Sequence, residues 1–332
     1  MSCPTAASAA PAAVATGLYA AVYTADGVTR ADMTELTADA FGGGMQLVNL
    51  FGKGTSIPCR AGQGADGPTL TIAGGGAVTG FDEDGASYDV YYGYLQGGRV
   101  FFNGSDIVLK GDVAEHTLIN ANGPDTGIAF VNFASGRTYF MNNPCLYLCN
   151  GLAEGYLYDN DEEEFGQYSG DVYGRKDGNT LAIIGFAGSD GFLNFTLDEA
   201  TGTAVARNQT AHTDADGVTY YYSGTDDDGE VSFGEMHAVY EEIGSTLRLT
   251  FTDPGWEAVS TSGLRADRGK DTMIVFDFGY GDDGSGIVEV SSENETDAPV
   301  EYFNLQGIRM ERPTNAGIYI RRQGEGKKVF RF

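Results

Sequence analysis

Tyr88-Asp89-Val90-Tyr91-Tyr92-Gly93 is answered further along the chain by Thr219-Tyr220-Tyr221-Tyr222-Ser223-Gly224, the final glycines standing 131 positions apart (224 − 93). Both runs crowd aromatic side chains into six residues and end on glycine, a pattern that suits a pleated strand and its turn better than a helix. A second echo has the same displacement, Val100 to Phe102 with Val231 to Phe233. A fixed displacement is the mark of a repeated structural unit. The expectation is therefore two tandem β domains.

Working outward, short apolar runs alternate with Gly, Asp and Asn throughout residues 17–290, and helical periodicity is nearly absent. The first domain is read as strands at Leu18 to Tyr23, Met45 to Phe51, Thr69 to Ala73, Tyr88 to Leu95, Val100 to Phe102, Ile128 to Phe133 and Thr138 to Met141. Only Asp32 to Phe41 reads as a short helix. The second domain repeats the style from Gly155 to Phe278, and Asp-Gly pairs such as Asp26-Gly27, Asp177-Gly178 and Asp228-Gly229 mark hairpin turns. The fold class expected is all-β. It comprises two antiparallel sandwiches or small barrels at 17–150 and 151–290, preceded by a flexible leader at 1–16 and followed by a linker at 291–299 and a module at 300–332.

Composition agrees. Of 332 residues, 49 are glycine, 19 tyrosine and 19 phenylalanine, and 42% are hydrophobic, enough for more than one core. The formal charge of -27 argues against nucleic acid and against anionic membrane surfaces, both of which need a cationic face. No apolar run is long enough to span a bilayer as a helix. The start, Met1 to Ala15, lacks a signal-peptide pattern, so an exported protein would have to be read after removal of its signal peptide. Cys3 in that leader is a candidate lipidation residue. Cys59, Cys145 and Cys149 carry no zinc-knuckle spacing and are read as buried free thiols, because a straight strand would hold residues 145 and 149 about 13 Å apart.

The last 33 residues reverse the sign. Residues 300–332 hold seven Lys and Arg against three acids, a net +4. They read as a small β-meander. Within it, Tyr302-Phe303-Asn304-Leu305-Gln306-Gly307, then Pro313, Gly317-Ile318-Tyr319-Ile320 and Lys327-Lys328-Val329, resembles the C-terminal sorting domain of type IX secretion cargo. That resemblance covers about the last tenth of the chain. It implies export machinery as a partner, engaged through Tyr302, Phe303, Leu305, Gly307, Pro313, Gly317, Tyr319, Lys327 and Lys328. It further implies an extracellular or outer cell-surface location. The module is shorter than the family's usual domain and closes with Phe330-Arg331-Phe332.

Motifs for chemistry are sparse. Gly62-Gln63-Gly64-Ala65-Asp66-Gly67 matches a dinucleotide fingerprint by letter, but strand-like Thr69 to Ile72 follows where a helix is required, so it is read as a hairpin loop. Asp226, Asp228 and Glu235 fall at calcium-loop positions, although Gly224 stands where the first carboxylate belongs. Calcium is the sole cofactor this suggests, and a plain hairpin turn fits better. His116, His212 and His237 show no metalloprotease spacing, and no Gly-x-Ser-x-Gly elbow occurs. The chain is thus expected not to be an enzyme. Trp256, beside Pro254-Gly255, and the strand tyrosines Tyr91 and Tyr221 are the candidates for exposed binding contacts.

The functional expectation is a secreted or surface-displayed binding protein whose ligand is a host luminal protein, a cationic one included, or a glycan. The alternatives are an extracellular polymer-degrading hydrolase working through Asp and Glu carboxylates, and a structural surface-coat component.

Overall fold

The computed structural model describes residues 14–279 except 39–43, 51, 53, 80–86, 113–115, 161, 189–190 and 214–216, together with the backbone of four strands in 300–331. Among the described residues there is no α-helix; apart from a single 3-10 turn at Phe186–Gly188, the regular structure is strand. The chain divides between Leu148 and Cys149 into two compact units.

The first unit contains β1 (Gly17–Ala25), β2 (Val28–Ala38), β3 (Met45–Val48), β4 (Ser56–Gly64), β5 (Gly67–Ile72), β6 (Gly76–Ala77), β7 (Asp89–Gln96), β8 (Arg99–Asn103), β9 (Ile107–Asp112), β10 (Thr117–Asn120), β11 (Thr126–Asn132) and β12 (Arg137–Leu148). Antiparallel pairing runs β1-β2-β3-β4-β5-β9-β10-β12, and β12 pairs back onto β1, so eight strands form a closed ring. Closure removes the free edges that an open sheet would present. The other half of β12 carries a branch, β11 then β7, with β6 and β8 both on β7. Asn142 pairs with Thr24 of β1 and with Gly127 of β11, which fixes the branch to the edge opposite β1. Ser56 and Thr79 exchange two backbone hydrogen bonds, at 2.7 and 2.8 Å, tying the loop after β6 back to β4.

The second unit repeats this strand for strand: β13 (Gly151–Asp159), β14 (Glu164–Asp177), β15 (Thr180–Ile184), β16 (Phe192–Asp198), β17 (Thr203–Arg207), β18 (Thr210–Thr213), β19 (Thr219–Thr225), β20 (Val231–Ser232), β21 (Glu235–Ile243), β22 (Thr246–Phe251), β23 (Gly255–Ser260) and β24 (Arg265–Asp277). The ring closes by β13 on β24, and the branch is β23-β19 with β18 and β20. Even the irregularities correspond. Each ring-closing pair carries a bulge, and in each the bulged strand has one residue in the left-handed region, Asn143 (φ 49) and Asp271 (φ 51). Asn and Asp tolerate that conformation better than other side chains because their short polar groups bond locally.

Register corrects the displacement read from sequence. Gly127 pairs with Asn142 and Gly255 with Lys270, so β11 and β23 correspond 128 apart (255 − 127). Gly127 faces Gly93, whereas Gly255 faces Thr225, making the displacement of β7 to β19 132 (225 − 93) and not 131. A one-residue slip would exchange the faces of the strand. With the corrected register Tyr88 answers Tyr220 and Val90 answers Tyr222, and all four are buried.

Period-two burial fills each ring. Tyr19 and Ala21, Leu47, Ile57 and Cys59, Leu70 and Ile72, Ile107 and Leu109, Leu118 and Leu146 share one core, which Val90, Ile128 and Phe130 of the branch complete. In the second unit Leu181, Ile183, Phe195, Leu249, Ile274 and Phe276 pack with Phe186, Tyr222 and Trp256.

Asp32 to Ala38 is part of β2 and not a helix, the remainder of that expected helix up to Phe41 lying outside the described residues. Glu35 pairs with Leu18 on one side and Val48 on the other, and Thr34 and Leu36 both point inward. Two-sided strand pairing satisfies the backbone groups that a helix would have satisfied locally, and so overrides local propensity. Cys59 and Cys149 are buried, as expected, whereas Cys145 is only half-buried; Cys3 and the 291–299 linker lie outside the described residues.

Residues 300–331 form a separate four-stranded antiparallel sheet of β25 (Val300–Phe303), β26 (Arg309–Met310), β27 (Ile318–Gln323) and β28 (Gly326–Arg331), ordered β26-β25-β27-β28.

Candidate functional site: an aromatic outer face on the branch

In the first unit's branch β11 is buried on both faces, whereas β7 beside it turns Val90 to the core and leaves Tyr91 half-buried on the other side. On the outward face of β7 in the first unit, Tyr91 packs its ring 5.3 Å from Phe102 and 5.7 Å from Phe133, and the latter two lie 6.2 Å apart. Phe133 is 63% exposed and Phe102 36%, so the triad presents ring surface to solvent. The edge strand β8 is exposed along its whole length.

Phe133 is held by its turn. Asn132 Oδ1 accepts the backbone N–H of Ala134 and of Ser135, both at 2.9 Å, and the Asn132 carbonyl accepts from Gly136 at 2.8 Å. Gly136 has φ 71, which glycine takes without the Cβ penalty. Beside the ring lies a shallow recess of about 240 Å3 lined by Ser87, Asp89, Val131, Asn132, Phe133 and Ala134. Asp89 stands two residues before Tyr91 on the same face and puts a carboxylate at the border of the aromatic surface. Chemically, this is a ring platform beside hydrogen-bonding groups.

The second unit has a smaller aromatic pair at different positions, since with the corrected register Tyr91 answers Ser223. Tyr221 packs 5.7 Å from Phe233, itself 48% exposed, and Ser223 Oγ accepts the backbone N–H of Gly234 at 2.9 Å to fix that turn. Both tyrosines singled out from sequence, Tyr91 and Tyr221, thus lie in partly exposed aromatic groups. Their phenylalanine neighbours were missed. The available signal was Phe beside a tight turn in each unit, at Phe133-Ala134-Ser135-Gly136 and Phe233-Gly234.

Trp256 is not an exposed contact. It is 2% exposed, its ring lies 5.0 Å from Phe186 and 6.0 Å from Tyr222, and Nε1 donates to Thr272 Oγ1 at 3.0 Å. Pro254 and Gly255 precede the first inward position of β23, and that inward position is what buries the indole.

Asp226, Asp228 and Glu235 are used separately. Asp226 Oδ1 accepts the backbone N–H groups of Asp228 and Glu230 at 3.0 and 2.8 Å, closing the β19–β20 turn on itself. Glu235 pairs with Arg207 Nε at 2.9 Å. Among the described residues no three His, Cys, Asp or Glu side chains are grouped to hold a metal ion. His237 Nδ1 lies 3.1 Å from Asp253 Oδ1, and His212 stacks on Tyr220 with centroids 4.7 Å apart. Burial pushes the Cys59 thiol up to about 12, so it stays protonated and a poor nucleophile in the folded protein.

Of the sorting residues, Tyr302, Phe303, Tyr319, Lys327 and Lys328 lie on strands of the third sheet, while Leu305, Gly307, Pro313 and Gly317 lie outside the described residues. Among the described residues, no helix is long and apolar enough to cross a membrane. No family model matches the chain, nor does any curated protein or solved structure.

Proposed function

We propose that the protein is an exported, surface-displayed or secreted binding protein that takes a glycan on the aromatic face of its first unit. The observation that carries this is the Tyr91–Phe102–Phe133 platform beside the Asp89 recess. The C–H face of a pyranose packs on aromatic rings, and its hydroxyls need acceptors at the ring's edge, which Asp89 and Ser87 supply. Export is assigned to residues 300–332 through their resemblance to sorting modules.

The test is a glycan array probed with the full chain and with the double variant Tyr91→Ala/Phe133→Ala. Loss of the bound glycans, with the thermal midpoint kept, is the expected result. Unchanged binding by the double variant would remove the platform from the reading. Export is tested separately: removing residues 300–332 should retain the protein inside the cell envelope, and undiminished surface delivery would overturn that assignment.

A second reading is a cationic host protein as ligand. It is favoured by the charge of the second unit, where residues 149–279 hold 25 Asp and Glu against seven Lys and Arg. Such binding should weaken steeply as salt rises.

A further inference from the structure

Among the described residues three of the second unit's cations, Arg175, Arg268 and Lys270, stand in no ion pair, and two of the three lie over aromatic rings. Of its seven Lys and Arg, four are in ion pairs: Lys176 with Glu242, Arg207 with Glu235, Arg248 with Glu241 and Arg265 with Glu257. Arg268 and Lys270 are treated differently. The Arg268 guanidinium lies 3.4 Å from the centroid of the Tyr158 ring, and Lys270 Nζ lies 4.6 Å from that of Phe165 and 5.8 Å from that of Tyr156. Tyr158 and Phe165 meet edge to face at 5.2 Å. Glu257, directly across the strands from Arg268, gives its carboxylate to Arg265 instead, at 3.2 Å. Tyr156 is 39% exposed and Phe165 37%, so the ring surface faces solvent along the β13–β14 hairpin.

The fold does not require this arrangement. In the first unit the positions answering Tyr156, Tyr158, Arg268 and Lys270 hold Thr24, Asp26, Phe140 and Asn142, with the same ring closure and the same bulge. A cation over a ring keeps its charge and its outward N–H donors. In a unit so rich in acids, cations left without an acidic partner are what an incoming anion needs.

We infer that Tyr156, Tyr158, Phe165, Arg268 and Lys270 form a second binding site, one that takes a carboxylated sugar of the uronic-acid type. The pyranose ring packs on the exposed rings of Tyr156 and Phe165, and the carboxylate accepts hydrogen bonds from Arg268, whose fork matches carboxylate geometry, and from Lys270. Glu154, Asp159, Glu164 and Asp271 border the patch in sequence and repel an extended polyanion, so the fitting unit carries a single charge. This site shares no residue with the platform of the first unit and stands independently of it.

The experiment titrates the full chain with methyl glucuronide and, in parallel, with methyl glucoside, following ligand saturation-transfer NMR. The glucuronide should bind about tenfold more tightly, the difference expected of one charge-assisted contact. Arg268→Gln and Lys270→Gln should each lower glucuronide binding toward that of the glucoside, while Tyr91→Ala leaves it unchanged. A Tyr156→Ala variant, in which both cations remain, should weaken both sugars alike. Equal binding of the two sugars, no glucuronide binding at the highest concentration reached, or a folded Arg268→Gln/Lys270→Gln variant that binds as well as the parent would each overturn the site.

Discussion

Gly269 lies against the face of Trp256, so close that a Cβ at position 269 would stand 2.6 Å from the indole ring. The two residues are register partners on β24 and β23, and the missing side chain of one makes room for the largest buried side chain of the unit. Gly269→Ala should therefore destabilise the second unit by about 1–3 kcal/mol through overpacking. Urea unfolding followed by tryptophan emission measures it; a midpoint unmoved from the parent would show that the indole can shift freely.

Because Trp256 is the single tryptophan and is buried in the second unit, its emission reports on that unit alone. Each unit has its own closed ring and its own core. Two units of this kind should unfold as two transitions, with tryptophan emission tracking one and far-ultraviolet dichroism tracking both. Residues 14–148 and 149–279 expressed apart should each give a cooperative, strand-rich domain. Coincident transitions in the full chain, combined with unfolded separate halves, would refute independence.

The left-handed residues at the two bulges give a paired test. Asn143→Gly and Asp271→Gly should change stability by only a few tenths of a kcal/mol, since glycine takes positive φ freely. Asn143→Val and Asp271→Val should each cost about 1–2 kcal/mol or more. Equal tolerance of valine and glycine would mean that the bulge relaxes out of that conformation.

Cys59 predicts a pH dependence with a definite sign. Its folded thiol is pushed up to about 12 by burial, whereas the unfolded thiol titrates near about 8.5. Between those values the folded state holds a proton that the unfolded state has lost. Stability from this group is therefore constant below about pH 8.5 and falls, by up to about 1.4 kcal/mol per pH unit, as pH rises above it. Relative to the parent, Cys59→Ala should lose that alkaline slope. Iodoacetamide at pH 8 should modify Cys59 only in denaturant; rapid labelling of the folded protein would contradict its burial.

The sequence by itself determined the strand character and the repeat. Alternation such as Leu70-Thr71-Ile72 with Asp-Gly and Gly-Gly punctuation fixes where chains extend and turn, because period-two burial and turn conformations are local properties. It also marked Tyr91 and Tyr221 as strand aromatics. What only the tertiary structure decided are the relations between residues distant in sequence. Ring closure joins Tyr19 to Leu148 and Gly151 to Phe276. The same long-range pairing draws Asp32 to Ala38 into a strand, moves the repeat by one residue and turns Trp256 inward. Each of these depends on which strand lies alongside, a choice made by the summed burial of a whole sheet face and invisible within any short window of sequence.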